Sequence, residues 1–258
     1  MELTKYNDEF LEGLDEPKRE ERARSLLDLI ELETFDLDLA AWFVSLASRG
    51  ASYITGSGPG GVGKTTTMRS LLSFVPGNLR FALALPGEIT TIGGTPHCVL
   101  TNELSDHPPT SYLWDQDARD FLALSEQGHQ LVGNVHADDL DEVHDQIVTT
   151  NSVPESQFRS INLFVFICLE GGNPPDGKRI KDTTTRRVIN KIFYSDGTSS
   201  HEPVYTYEDG LQPNAPHDQE HEKQCRAFLE EALNGPERTL TGVRHQFLEW
   251  KQQNGITS

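Results

Sequence analysis

Eight consecutive residues, Gly58-Pro59-Gly60-Gly61-Val62-Gly63-Lys64-Thr65, limit what this chain can fold into more than any other stretch. They satisfy the pattern G-x-x-x-x-G-K-[ST] in full. A short apolar run over 51–55 precedes them. Met68, Leu71, Leu72 and Val75 follow at i, i+3, i+4 and i+7, a helical stripe that Pro76-Gly77 ends. A chance glycine-rich turn would match the pattern without both flanks, whereas strand, loop and amphipathic helix in this order make a unit of an α/β domain. A chain that wraps a phosphate must turn successive N–H groups inward, which needs backbone angles that glycine reaches cheaply. The helix that follows adds its own free N–H groups and the positive end of its dipole. Lys64 is expected to supply a mobile cation for β and γ phosphates, and Thr65 a hydroxyl ligand for the magnesium those phosphates carry. The expected ligand is a nucleoside triphosphate with Mg2+, held by Gly58, Pro59, Gly60, Gly61, Val62, Gly63, Lys64, Thr65 and Thr66. ATP is expected over GTP, because no N-K-x-D base-reading motif occurs.

The 258 residues suffice for one generous domain with small additions, and at 36% hydrophobic they can bury a core. No run approaches the roughly 18 apolar residues needed to cross a bilayer. Residues 1–20 are polar and acidic with no apolar h-region, so a cytoplasmic protein without direct membrane insertion is expected. Cys98, Cys168 and Cys225 are odd in number and far apart, matching neither a disulfide framework nor a zinc pattern. With 40 acidic against 22 basic residues the net charge is −18, which argues against nucleic acid as a partner.

Three zones follow from periodicity. Residues 1–50 read as a helical N-terminal segment, with helices over 18–32 and 37–48. Residues 51–205 alternate apolar runs with helical stripes, as a mainly parallel sheet covered by helices would. Strands are expected over 51–55, 81–85, 98–101, 131–136 and 161–169, with 187–194 closing the sheet. Helices are expected over 111–127, capped by Gly128, and over 138–148. Residues 206–258 form a helical C-terminal segment, with helices over 217–233 and 236–252; Leu240, Val243, Phe247 and Trp250 share one stripe of the second.

The stretch 128–138, Gly-His-Gln-Leu-Val-Gly-Asn-Val-His-Ala-Asp, carries a second signal. With the phosphate loop, it resembles the segment of type II/IV secretion and pilus motor ATPases in which a Gly-His pair opens a strand that ends in a histidine before a helix. The helix over 37–48 and the segment ending in Arg186-Arg187-Val188-Ile189 fit the same family, and the resemblance spans roughly 35–200. It implies a three-layer P-loop NTPase core of RecA-like type. It also assigns His136 a role in reporting the γ-phosphate, at the carboxyl edge of the sheet where ligands of open α/β folds bind. A histidine hydrogen-bonded for structure is the plainer alternative for His136, and for His129 the structural role is preferred.

An ATPase of this class needs a carboxylate to orient water. Glu103 ends the apolar run Cys98-Val99-Leu100-Thr101, like a degenerate Walker B, and is preferred to Asp115, which falls within helical spacing. The sequence departs from the family at several points. Asn102 and Ser105 replace the glycine and arginine of its Gly-Glu-x-Arg element. Ala84-Leu85 stand where it has an acidic pair, with Glu88 nearby, and only about 50 residues precede the first strand, with no counterpart of the family's larger N-terminal domain. Arg119, Arg159, Arg186 and Arg187 are candidates for a phosphate-reaching finger, although surface roles explain each of them more simply. The leading expectation is an ATPase with catalytic residues Lys64, Glu103 and His136, coupling Mg-ATP to a change on a partner protein or within a homo-oligomer. The alternatives are a nucleotide switch that hydrolyses little, and a small-molecule kinase using the basic loop 171–187 as a lid, a loop better explained as a hairpin with solvated charges.

Overall fold

The computed structural model describes residues 3–14, 22–107, 109–174 and 178–256. Its strands form one sheet in the order β2-β3-β4-β1-β5-β6-β7-β8, with β1 Tyr53–Gly56, β2 Arg80–Leu83, β3 His97–Leu100, β4 Gln130–Val135, β5 Leu163–Leu169, β6 Arg187–Tyr194, β7 Glu202–Thr206 and β8 Gly210–Leu211. β3, β4, β1 and β5 pair in parallel, while β5 to β8 form an antiparallel succession. The fold is α/β and the sheet is mixed with mostly parallel strands, as expected, but β6 does not close it, because β7 and β8 follow it in antiparallel pairing. The turn at Asp196-Gly197 leads back into β7, with the Asp196 carboxylate accepting from the N–H groups of Thr198 and Ser199.

The chain folds as two compact units, one of residues 51–68 and 81–215, the other of 1–50, 69–80 and 216–258. The first unit holds nearly all of the sheet. β1, β4 and most of β5 are buried end to end; β5 reads as a continuous apolar run without alternation, while β4 also buries Gln130 and Asn134. Their core cluster joins Ile54, Leu131, Val135, Phe164 and Phe166 to Phe121 and Leu122 of helix α5 Asp115–Ala123 and to Val143 of α6 Leu140–His144. The expected helix over 111–127 is shorter: α5 continues as a 3-10 turn over Leu124–Gln127, and Gly128 ends it at φ 79°. The helix expected over 138–148 changes character after His144, where Asp145–Thr150 takes π-helical pitch. Short helix α7 Glu155–Arg159 leads into β5.

The second unit is helical. The helix expected over 18–32 is seen as α2 Leu26–Glu31, opened by a capping box between Ser25 and Asp28; residues 18–21 lie outside the described residues. α1 Leu3–Glu12 precedes it, and α3 Leu37–Ala47, buried from Leu39 to Ala47, packs against α8 Gln219–Leu233. α9 Leu240–Gln253 places Phe247 edge-on to Phe74, ring centroids 5.0 Å apart. The buried Arg244 donates to the carbonyls of Val75, at 2.5 Å, and Pro76, at 3.2 Å. No described helix is long and apolar enough to cross a membrane.

Candidate functional site

The glycine-rich run leaves the carboxyl end of β1 and enters helix α4, Lys64–Ser70. Because β1, β3, β4 and β5 run in parallel, the segments after all four strands emerge at one edge of the sheet. Gly61 has φ 84° and Gly63 φ 120°, angles that L side chains rarely adopt, so the turn needs glycine at both. Gly58 is required for a different reason: a Cβ there would lie 2.3 Å from Asp138 Oδ2. Gly58 is held from both sides by the segment after β4. Its N–H donates to Asp138 Oδ1 at 2.7 Å, and its carbonyl accepts from His136 Nδ1. Since a carbonyl only accepts, Nδ1 carries the hydrogen and Nε2 is the face His136 turns elsewhere.

That face meets Glu103. His136 Nε2 and Lys64 Nζ lie 3.4 and 3.3 Å from Glu103 Oε1, within ion-pair distance but outside hydrogen-bond alignment, so this buried oxygen has no hydrogen-bond partner among the described residues. Lys64, at 7% exposure, donates to the Ser57 carbonyl at 3.0 Å. Burial holds its ammonium below the usual lysine range, and the Glu103 charge offsets part of that effect. Tyr112, beside the same carboxylate, is raised above the usual phenol value by burial first and by Glu103 second. The backbone fixes Glu103 as well, its carbonyl accepting from the Leu113 N–H at 3.0 Å.

Asn134 of β4, fully buried, ties these parts together and was missed by sequence reading. Its Oδ1 accepts from the Thr55 hydroxyl; its Nδ2 donates to the Asn102 carbonyl at 2.7 Å and approaches Thr65 Oγ1 at 3.4 Å. The available signal was parity: Asn134 and His136 stand two residues apart, on one face of a strand. Asn173, after β5, was also missed. Its Nδ2 approaches Ser57 Oγ at 3.4 Å and Asp138 Oδ1 at 3.3 Å.

Lys64, Glu103 and His136 therefore come together, while other candidates lie apart from this cluster. Asp115 is exposed at the first turn of α5, its N–H bonded to Asn151 Oδ1. Glu88 is exposed on a 3-10 turn. Arg119 donates to the Asn151 carbonyl, Arg159 to that of Thr198, and Arg186 pairs with Glu170. Arg187 donates to the carbonyls of Asp182 and Thr185, although its stem passes close to Gly63. Ser105, in the arginine place of the Gly-Glu-x-Arg element, bonds with His107; of the adjacent Pro-rich turn, Pro108 lies outside the described residues. His129 accepts the His97 N–H at 2.9 Å, a structural contact, and burial holds its ring below the ordinary histidine value, with His97 adding to the effect.

The residues suit a triphosphate. The N–H groups of Gly60, Gly61, Val62 and Gly63 have no acceptor among the described residues, and the Lys64 cation lies 3.3 Å from a Glu103 oxygen that has no hydrogen-bond partner. No cluster of three or more His, Cys, Asp or Glu side chains fit to hold a metal occurs among the described residues.

No protein-family model and no curated protein matches the chain. Among solved structures it is similar to the VirB11 ATPase of the Brucella suis type IV secretion system, crystallised with sulphate, at 20% identity and TM-score 0.42, over 64% of this chain and 55% of that one. It is also similar to the Legionella pneumophila ATPase DotB, at 12% identity and TM-score 0.38, over 90% of this chain and 61% of that one. The chain thus spans less than two thirds of the length of either ATPase, and the likeness is a distant one.

Proposed function

We propose that this protein is a P-loop ATPase whose RecA-like core, residues 51–205, binds Mg-ATP and is flanked in sequence by helical segments 1–50 and 206–258. The observation that carries this reading is the approach of both Lys64, from the glycine-rich loop, and His136 to one oxygen of Glu103. The loop N–H groups and Lys64 would hold the phosphates and Thr65 the magnesium. Bound Mg-ATP supplies a phosphoanhydride bond whose breakage changes the charge held at the loop. Glu103, buried with an oxygen free of hydrogen bonds, would orient a water molecule. His136 donates to the Gly58 carbonyl and stands 3.4 Å from that carboxylate, so a change of charge at the loop would act on the β4–α6 connection through one side chain. The output is a conformational change passed to a partner protein or to another copy of the chain, as in secretion and pilus motors.

A second reading, a nucleotide switch with little turnover, draws on the pairing of Glu103 with Lys64 and on Ser105 in place of an arginine. Magnesium-dependent ATP hydrolysis and binding by the parent, Lys64→Ala and Glu103→Gln separate the two. An ATPase gives turnover lost in both variants, with binding kept in Glu103→Gln and weakened about tenfold or more in Lys64→Ala. Tight binding without turnover selects the switch. Unaltered ATP affinity in Lys64→Ala refutes the assignment of the loop.

A further inference from the structure

The basic segment between β5 and β6 is not simply a solvated hairpin. Its Ile180 N–H donates to the Gly60 carbonyl at 2.8 Å, and the Ile180 carbonyl lies so close to Gly61 that a Cβ there would meet it at 2.3 Å. Backbone is thus pressed on backbone at the paired glycines of the phosphate loop. The contact sets the preceding side chain beside the loop: the position of a Cβ on Gly60 is 3.6 Å from Arg179 Nη1 and 3.7 Å from its Cγ. An arginine whose guanidinium lies in van der Waals range of a phosphate loop is a second cation on a site that already has Lys64. Like charges do not gather without cause. The Arg179 charge is near enough to push the Lys64 ammonium further down, and the nearby carboxylates Glu103 and Asp138 oppose this incompletely against burial. A polyanion between the two cations removes the repulsion and gains from both.

We propose that Arg179 is a phosphate ligand contributed by the same chain, and that the Ile180–Gly60 contact fixes it on the terminal-phosphate side of the site. This rests on the reading of the loop as a triphosphate site. The end is assigned by neighbours: Lys64 Nζ reaches toward Ser57 and Glu103, at the opening of the loop, and Gly60 belongs to that opening rather than to the helix. The chemistry suits arginine, whose planar fork engages two phosphate oxygens at once and stays charged at any working pH. A ligand on the terminal phosphate separates triphosphate from diphosphate.

The test is titration of N-methylanthraniloyl-ATP and N-methylanthraniloyl-ADP, each with Mg2+, into the parent, Arg179→Ala, Arg179→Lys and Lys64→Ala. Arg179 is exposed, so melting temperatures should match and report an intact fold. Arg179→Ala is expected to weaken the triphosphate about tenfold or more and the diphosphate less than about threefold, with Arg179→Lys between parent and alanine. Lys64→Ala should weaken both. Unchanged affinities in Arg179→Ala, or equal losses for the two nucleotides, would overturn the proposal while leaving the loop assignment standing. A parent that binds neither nucleotide would overturn both.

Discussion

Replacing Asn134 should cost more than any exposed residue of the site, and the cost can be worked out bond by bond. The side chain is fully buried, accepts from Thr55, and donates to the Asn102 carbonyl at 2.7 Å. Its 3.4 Å approach to Thr65 Oγ1 is long and is counted as nothing. In Asn134→Ala the Thr55 hydroxyl can still donate to the Lys64 carbonyl at 3.2 Å, but the Asn102 carbonyl loses this donor. Two neutral hydrogen bonds at about 1 kcal/mol each, plus about 1 kcal/mol for a carbonyl left without this donor and a small void, give about 3 kcal/mol. For a protein of this size that is about 6–12 °C in Tm. Asn134→Asp sharpens the point. It is nearly isosteric and keeps the acceptor for Thr55, but it sets an oxygen against the Asn102 carbonyl and buries a charge, so it should be at least as damaging as alanine. Calorimetric melts of the parent and both variants without nucleotide decide the matter. Tm values within about 2 °C of the parent for both variants would show that these bonds do not bear the stability assigned to them.

Gly58→Ala should act through Asp138, because the new methyl would sit 2.3 Å from Oδ2 and 2.9 Å from Cγ. A loss of about 1–3 kcal/mol is expected from denaturant midpoints, much of it absent when the substitution is made in an Asp138→Ala background. Additive losses would refute the clash. Acid should also weaken the fold through two histidines. Burial holds His201 and His221 below the ordinary 6.5, with Arg49 adding to the effect at His221 and the Ile161 carbonyl opposing it at His201. The unfolded chain therefore takes up these protons first as pH falls through about 6.5, and stability declines from there toward the lower folded values. Urea midpoints at pH 7.5 and 5.5 should show this decline in the parent and a smaller one in His201→Gln; equal declines would exclude His201 as a source.

What could be read from sequence was local. The loop announces itself through its glycines, and Gly61 and Gly63 do take positive φ. Gly128 likewise ends its helix at positive φ, whereas the caps Ser25 and Asp36 went unread, and the helix that Ser25 opens at Leu26 was expected from residue 18. Boundaries slipped where tertiary packing overrides propensity. The stripe Met68, Leu71, Leu72, Val75 predicted one helix, but α4 stops at Ser70 and a 3-10 turn over Leu72–Phe74 follows, with all four residues buried nonetheless. β7 and β8 went unseen because one holds Pro203 and the other is two residues long.

The partners of the site were hidden for a different reason: each is brought in from a distant strand. Asp138 reaches Gly58 across 80 positions, Asn134 reaches Thr55 across 79, and Asn173 reaches Ser57 across 116. No periodicity encodes such pairs, since they exist only once β4 and β5 flank β1. Glu103 could be proposed as the acid at the end of a strand, yet its pairing with Lys64 follows only from β4 being inserted between β1 and β3. Arg179 shows the limit most clearly. By composition it is one charge in a polar loop, and by position it is a cation set against a glycine of the phosphate loop. Glycine and lysine thus mark the loop locally, while the residues that meet it from elsewhere, Asp138 and Arg179 among them, are set by the order of the strands.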